Sequence, residues 1–555
     1  MSRRTAHRDT FVLDRLPPPE QWPEFLFART EYRYPAQLNA AAELVDTAVA
    51  RGSGARPALR VLTGGREIVC SYAQLAAQVD RIAHVLVEDL GLVPGNRVLL
   101  RGPNTPMMAA CWLAVLKAGL VAVPTMPLLR ARELKAIIDK AQVGVALCDV
   151  RLRDELALNR DPAHEHHAPT LREVLHFQTD DADSVESRAR AKPAAFTAVA
   201  TRADDPALIA FTSGTTGQPK GTVHFHRDVL VMSDAFPRHV LHPAPHDVFC
   251  GTPPLAFTFG LGGLLTMPLR AGASTLLIER PAPDTLLDAM RTGKATIVFT
   301  APTMYRQMAL LLKEGKAAPV PSLVKSVSAG EALPDATRRL WRDATGIEMI
   351  DGIGATEMIH IFISSAGRDV RPGAVGKPVP GYVCAVVDES MREVPPGTIG
   401  KLAVKGPSGC RYLDDPRQSN YVRDGWNLPG DTFVMDADGY FIYQARSDDM
   451  IVSAGYNIAG PEVEAALLLH PAVAECGVVA APDAERGHIV KAYVVLKPGT
   501  PGDDTLRHSL QEFVKQQIAP YKYPRALEFV QALPRTETGK LQRFRLRELA
   551  QREAT

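Results

Sequence analysis

Over residues 1–200, short apolar runs alternate with amphipathic stretches. Tyr72 to Asp89 and Leu134 to Ala141 space their apolar side chains as a helix face does. Val98 to Leu100 and Val143 to Cys148 are compact apolar runs of strand length. That alternation predicts an α/β architecture. Met107 to Val123 is the most hydrophobic window, but Lys117 and Gly119 interrupt it and Pro106 and Pro124 bound it. It predicts a buried helix running into a strand and falls short of a membrane span. Residues 178–206 are polar and acidic and predict a loop. Ala207 to Ala210, Ala295 to Thr300 and Val324 to Ser328 predict strands that each end in a turn, where open α/β sheets place ligands.

Beyond about residue 370 the pattern changes to short β runs punctuated by Gly and Pro, such as Gly400 to Lys405 and Gly439 to Gln444. The last hundred residues predict a compact mixed unit. Its elements are helices over Pro461 to Leu469 and Leu506 to Ile518 and strands over Cys476 to Ala480, Val490 to Leu496 and Leu527 to Val530.

Composition narrows the function classes. The 555 residues exceed one simple core, and 63 basic against 62 acidic residues leave a net charge of +1. That balance offers no footprint for nucleic acid or an anionic membrane. The seven cysteines show no Cys-x-x-Cys pair and read as reduced thiols. Asp9, Asp14 and the prolines at 17–19 interrupt anything like a signal-peptide apolar region. The expectation is a soluble, cytoplasmic protein.

Residues 211–221 read Phe-Thr-Ser-Gly-Thr-Thr-Gly-Gln-Pro-Lys-Gly. Glycines (Gly214, Gly217) let backbone N–H groups approach a polyanion, and Thr212, Ser213, Thr215 and Thr216 donate to phosphate oxygens. Lys220 supplies a point charge. A P-loop is excluded because that motif needs Gly-Lys-Ser/Thr after four spacer residues, and here Pro219 precedes Lys220. Asp351-Gly352-Ile353-Gly354-Ala355-Thr356-Glu357 is a second glycine-rich turn, closed by a hydroxyl and a carboxylate suited to Mg²⁺ beside phosphates. Gly430-Asp431-Thr432, with Arg446 further on, offers a carboxylate and a cation for a vicinal diol.

These strings resemble the signatures of the adenylate-forming superfamily of acyl-CoA synthetases, peptide-synthetase adenylation domains and luciferases. The resemblance implies ATP, Mg²⁺ and coenzyme A as partners. It implies Thr356 on the phosphates, Glu357 on the metal, and Gly330, Glu331 and Ala332 along the adenine. Asp351 to Gly354 line the same nucleotide, with Ile353 where an aromatic residue is commoner. Asp431 and Arg446 would hold the ribose. Asp448 falls on the hinge position, which divides the chain into residues 1–447, a large domain with mixed sheets and a β-subdomain, and residues 448–555, a small mobile α+β domain. Gly455 and Tyr456 would line the pantetheine tunnel. Pro534-Arg-Thr-Glu-Thr-Gly-Lys540 resembles the loop bearing the adenylation lysine, and its context resembles one silenced by a lysine acetyltransferase acting on Lys540. Arg543, Arg545, Arg547 and Arg552 read as a solvated helix face, and His224 and His226 as packing residues of the helix after the clamp.

The acyl segments, Phe257-Thr258-Phe259-Gly260 and His360-Ile361, combine aromatic and aliphatic side chains with one imidazole. They resemble aryl-CoA ligases of the benzoate and 2-aminobenzoate type. Thr258 could accept from an ortho-amino group, which favours 2-aminobenzoate. The alternatives are a stand-alone adenylation enzyme that loads a carrier protein and a synthetase for a non-aromatic acid. A non-catalytic nucleotide sensor would be expected to lack Lys540 or Glu357, and both are present.

If Lys540 stabilises charge only in the first half-reaction, Lys540→Ala lowers acyl-adenylate formation by about 10²–10³ while sparing thioester formation from preformed acyl-AMP. Single-turnover assays of each half-reaction check this, and an equal loss in both removes the role.

Overall fold

The computed structural model describes residues 5–212, 219–446, 449–453, 456–483, 486–535 and 541–553. Two large sheets carry the first 378 residues. The first has six strands in the order Glu173–Phe177, Val145–Asp149, Arg97–Arg101, Val121–Thr125, Pro206–Thr212 and Lys220–Phe225. All neighbours are parallel except the last pair, which is antiparallel. The second has nine strands, with Val248–Gly251, Ile297–Thr300, Lys325–Ser328 and Met349–Gly354 parallel near its middle. Antiparallel pairs close both of its edges.

Arg97–Arg101, Val121–Thr125 and Val145–Asp149 are buried at every position, as strands covered on both faces must be. The helix Pro106–Lys117 starts where Thr105 accepts from the Met108 N–H and Pro106 occupies a first-turn position that needs no donor. Ser71 and Gln74 form a reciprocal capping box that starts Tyr72–His84. Both helices join one apolar cluster with Leu100 of the first sheet and Phe249 and Phe299 of the second.

A third, antiparallel sheet contains Val383–Val387, Ile399–Lys405, Asp431–Met435 and Phe441–Arg446. The C-terminal unit pairs Val473–Asp483, Gly487–Leu496 and Ala526–Phe529. Helices Gly460–Leu467 and Asp504–Gln517 enclose a separate core of Ile451, Val463, Val478, Val494 and Leu510. The expected α/β class with a distinct α+β unit is present.

Three local expectations change. The expected loop 178–206 contains the helix Val185–Arg190, capped by Ser184 and seated by buried Val185 and Ala189. The arginines of Arg543–Glu553 do not share one solvated face, because Arg543 pairs with Glu464 and Arg547 with Asp449. His224 belongs to the strand Lys220–Phe225, and only His226 opens the helix that follows.

Among the described residues no helix is long and apolar enough to cross a membrane. Lys117, in the apolar window, is held by Asp46 at 2.8 Å and by Asp80. Its side chain is 3% exposed. Lys117→Met leaves the buried Asp80 carboxylate without its counter-charge and should destabilise the fold by about 3–5 kcal/mol, read from urea unfolding.

Candidate active site

Thr212 and Lys220, which flank the expected clamp in sequence, are placed by sheet pairing. Thr212 is the register partner of Lys220 at the end of the antiparallel pair. Ser213, Gly214, Thr215, Thr216 and Gly217 lie outside the described residues. The segment around Arg411 runs along the lysine strand, with Val223 N–H donating to the Arg411 carbonyl and Leu413 N–H to that of Gly221, both at 2.8 Å. This docking carries Tyr412 to the side of Lys220. The Tyr412 hydroxyl donates to Glu357 Oε1 at 2.5 Å, and Lys220 Nζ lies 3.5 Å from that hydroxyl oxygen of Tyr412. Burial first, and then the Glu357 carboxylate, push the Tyr412 phenol well above its usual value, so it remains a proton donor.

The sequence reading missed Tyr412, because a tyrosine between Arg411 and Leu413 carries no local sign of a partner 55 positions away. It also missed the role of His224. That imidazole is wholly buried, and its Nε2 donates to the Thr356 carbonyl at 2.8 Å. Behind it lies Asp228, whose Oδ2 is 3.8 Å from His224 Nδ1. Asp228 also receives the Phe225 N–H at 2.8 Å and pairs with buried Arg411. Burial alone would raise the Asp228 carboxyl, but Arg411 and then His224 hold it at about 2. Tyr412 thus holds Glu357 directly, while its neighbour Arg411 stands behind Thr356 through Asp228 and His224.

Gly330 to Ala332 follow the strand Lys325–Ser328, whose neighbour Met349–Gly354 carries Asp351 to Gly354. Gly330, Ala332 and Gly354 are exposed, and Ile353 is half-buried. Glu331 accepts from Thr303 at 2.9 Å, and Arg535 approaches its other oxygen at 3.7 Å. Asp351 is buried, which pushes its carboxyl up to about 7 against the opposing pull of Arg338. Asp431 and Arg446 are register partners, with Arg446 Nη1 3.3 Å from Asp431 Oδ1. The Tyr421 ring meets Tyr412 edge-on at 5.7 Å. Burial, and then the Glu357 carboxylate with a smaller share from Asp431, push the Tyr421 phenol well above its usual value.

The acyl candidates gather around His360. Phe259, in the short helix Thr258–Leu261, lies 5.8 Å from the His360 ring, and Phe236 lies 5.9 Å from it. A Cβ on Gly262 would sit 2.5 Å from His360 Cδ2, so only glycine admits the imidazole. Among the described residues neither ring nitrogen of His360 has a partner at full hydrogen-bond geometry, and burial, against a weaker upward pull from the Phe259 backbone, lowers its pKa to about 3. Thr258 is buried, and Phe257 is half-buried at the helix entry. Gly260 packs where a Cβ would strike the Pro254 carbonyl, and Ile361 covers Gly352. Ile359, wholly buried, has φ +67°, a conformation β-branched residues rarely adopt. That turn lies between Glu357, which meets Tyr412, and His360, which meets Phe259 and Phe236.

Lys540, Asp448 and Gly455 lie outside the described residues. Tyr456 opens the strand Tyr456–Ala459. Arg535 and Leu541, which flank residues 536–540 in sequence, form an isolated antiparallel bridge.

Comparison with known proteins adds independent findings. The AMP-binding enzyme family matches residues 46–411, and the AMP-binding enzyme C-terminal domain matches residues 462–540. A benzoate–CoA ligase of Thauera aromatica is 35% identical over 522 residues, covering 93% of this chain and 97% of that protein. The crystal structure of the anthranilate CoA ligase AuaEII in complex with anthranoyl-AMP superposes with a TM-score of 0.88 at 32% identity. It covers 95% of this chain and 100% of that one. A benzoate CoA ligase from Burkholderia xenovorans LB400 gives a TM-score of 0.83 at 31% identity, covering 92% and 99%.

Burial also drives His226 down to about 3, with its Nδ1 accepting from the Ala40 N–H at 3.1 Å. For His226 and His360 the folded pKa lies below the unfolded one, near 6.5, so the unfolded chain binds the proton first. Stability should be intact above about pH 6.5 and fall as pH drops from there toward 3, by about 2 kcal/mol per histidine at pH 5. His360→Phe should make that acid-side loss shallower in denaturant titrations at pH 7 and pH 5. An unchanged slope contradicts the buried neutral imidazole.

Proposed function

This chain belongs to the AMP-binding enzyme family as an acid–thiol ligase, and we propose that its acid is aromatic, 2-aminobenzoate or benzoate. The observation that carries the reading is the buried His360, neutral and unpaired, between the rings of Phe259 and Phe236. An apolar wall with one unsatisfied imidazole suits a flat ring whose polar edge needs a partner. The names of the benzoate and anthranilate ligases to which the chain is similar support it.

In the reaction proposed here, the acid's carboxylate attacks the α-phosphate of ATP, forming acyl-AMP and releasing pyrophosphate. The CoA thiolate then attacks the acyl carbon, giving the thioester and AMP. No covalent enzyme intermediate is needed, so the chain contributes positioning and charge. Lys220, with the hydroxyls of Thr212 to Thr216, would hold the phosphates of ATP, and Lys540 would bridge carboxylate and phosphate. Asp431 would accept from the ribose hydroxyls beside Arg446. Among the described residues no three His, Cys, Asp or Glu side chains gather as a protein metal cage. The single carboxylate of Glu357 fits Mg²⁺, which binds through few carboxylates plus phosphate and water. When bound, Mg²⁺ would neutralise phosphate charge. The domain boundary at 447/448 falls between the two family matches, which supports it. A cytoplasmic location accords with seven free cysteines.

A panel of acids assayed by CoA-dependent AMP release tests the reading. Benzoates with small ortho substituents should be the best substrates, and hexanoate poor. Thr258→Val should lower kcat/KM for 2-aminobenzoate by about tenfold or more and leave benzoate nearly unchanged. Preference for hexanoate would discard the aromatic acid and keep the ligase.

A further inference from the structure

We propose that Tyr412 is a positioning residue that holds the Glu357 carboxylate and the Lys220 ammonium apart and in register. This rests on the reading of Glu357 as the metal-holding carboxylate.

Lys220 and Glu357 reach the same place from different strands, and both meet one phenolic oxygen. Tyr412 donates its single proton to Glu357 Oε1 at 2.5 Å, and the oxygen faces Lys220 Nζ at 3.5 Å. Among the described residues no ion pair joins Lys220 to Glu357. An ammonium and a carboxylate this close in a partly desolvated cleft attract strongly. Direct pairing would withdraw the cation from an incoming polyphosphate and the anion from an incoming metal. The interposed hydroxyl prevents that collapse by satisfying both groups. It also fixes one carboxylate oxygen, which limits rotation of the group.

Tyr412 can do this because it cannot move away. Its backbone N–H donates to Gln418 Oε1 at 2.9 Å, its neighbours are bonded to the lysine strand, and its ring is walled by Tyr421. The side chain is 1% exposed, so no water competes for the hydroxyl at its buried end.

The test is Tyr412→Phe in the full-length protein, which keeps the ring and removes the hydroxyl. Binding of Mn²⁺ in the presence of ATP, measured by electron paramagnetic resonance, should weaken about ten- to hundredfold, the effect of losing one hydrogen bond to a charged group. The Mg²⁺ concentration for half-maximal acyl-AMP formation should rise by a similar factor. Thioester formation from preformed acyl-AMP, which handles no triphosphate, should keep its rate. Tyr421→Phe trims a hydroxyl that has no partner in the same ring pair and should bind Mn²⁺ as the wild type does. Equal loss in Y421F would assign the effect to ring packing and overturn the proposal. So would wild-type Mn²⁺ affinity in Y412F when Glu357→Gln has lost it. If Glu357→Gln also keeps wild-type affinity, the metal reading of Glu357 fails and this inference fails with it.

Discussion

The buried pair of Arg411 and Asp228 is the joint on which this site depends. Both side chains are inaccessible to solvent, and the guanidinium stacks 3.9 Å over the Phe225 ring and 4.8 Å over that of Phe25. Desolvating two charges is costly, and the pair persists because hydrogen bonds and ring faces surround it. Removing one partner from such a pair typically costs about 3–5 kcal/mol. Asp228 joins the clamp strand to its following helix through the Phe225 N–H, and it stands behind the imidazole that binds Thr356. Arg411 fixes the segment that presents Tyr412. One ion pair therefore registers three distant pieces of chain.

The arrangement separates the tasks of the site physically. On one side of the Thr356–Met358 turn lie charged groups satisfied by tyrosines and backbone. On the other lies His360 among aromatic rings, neutral and without a hydrogen-bond partner. The strained φ of Ile359 makes the division sharp, at a cost of about 1–3 kcal/mol for such a residue. Total burial of that side chain offsets the strain. A hydrogen-bonded carboxylate and a neutral imidazole then sit three positions apart in different dielectric surroundings.

Much of this was legible from residue order. Tyr72 to Asp89, Val98 to Leu100 and Met107 to Val123 form the helices and strands their periodicity predicts, because their apolar faces leave one burial option. Thr212 and Lys220, Thr356 and Glu357, and Asp431 and Arg446 are recognisable because each set is contiguous or short-range in sequence. The helix Val185–Arg190 was hidden, since two buried side chains are too few to show a period.

By itself, the sequence determined the α/β class, the hydroxyl- and glycine-rich run at 211–221, the glycine-rich turn at 351–357 and the aromatic character of residues 257–259, all of which are local patterns. Only the tertiary structure decided that Tyr412 meets Glu357, that His224 supports Thr356 rather than packing in a helix, and that Arg543 and Arg547 are paired instead of solvated. Those contacts join residues 55, 132, 79 and 98 positions apart. Local periodicity cannot encode them, because a side chain's partner across the fold is set by how sheets and cores stack and not by its neighbours in the chain.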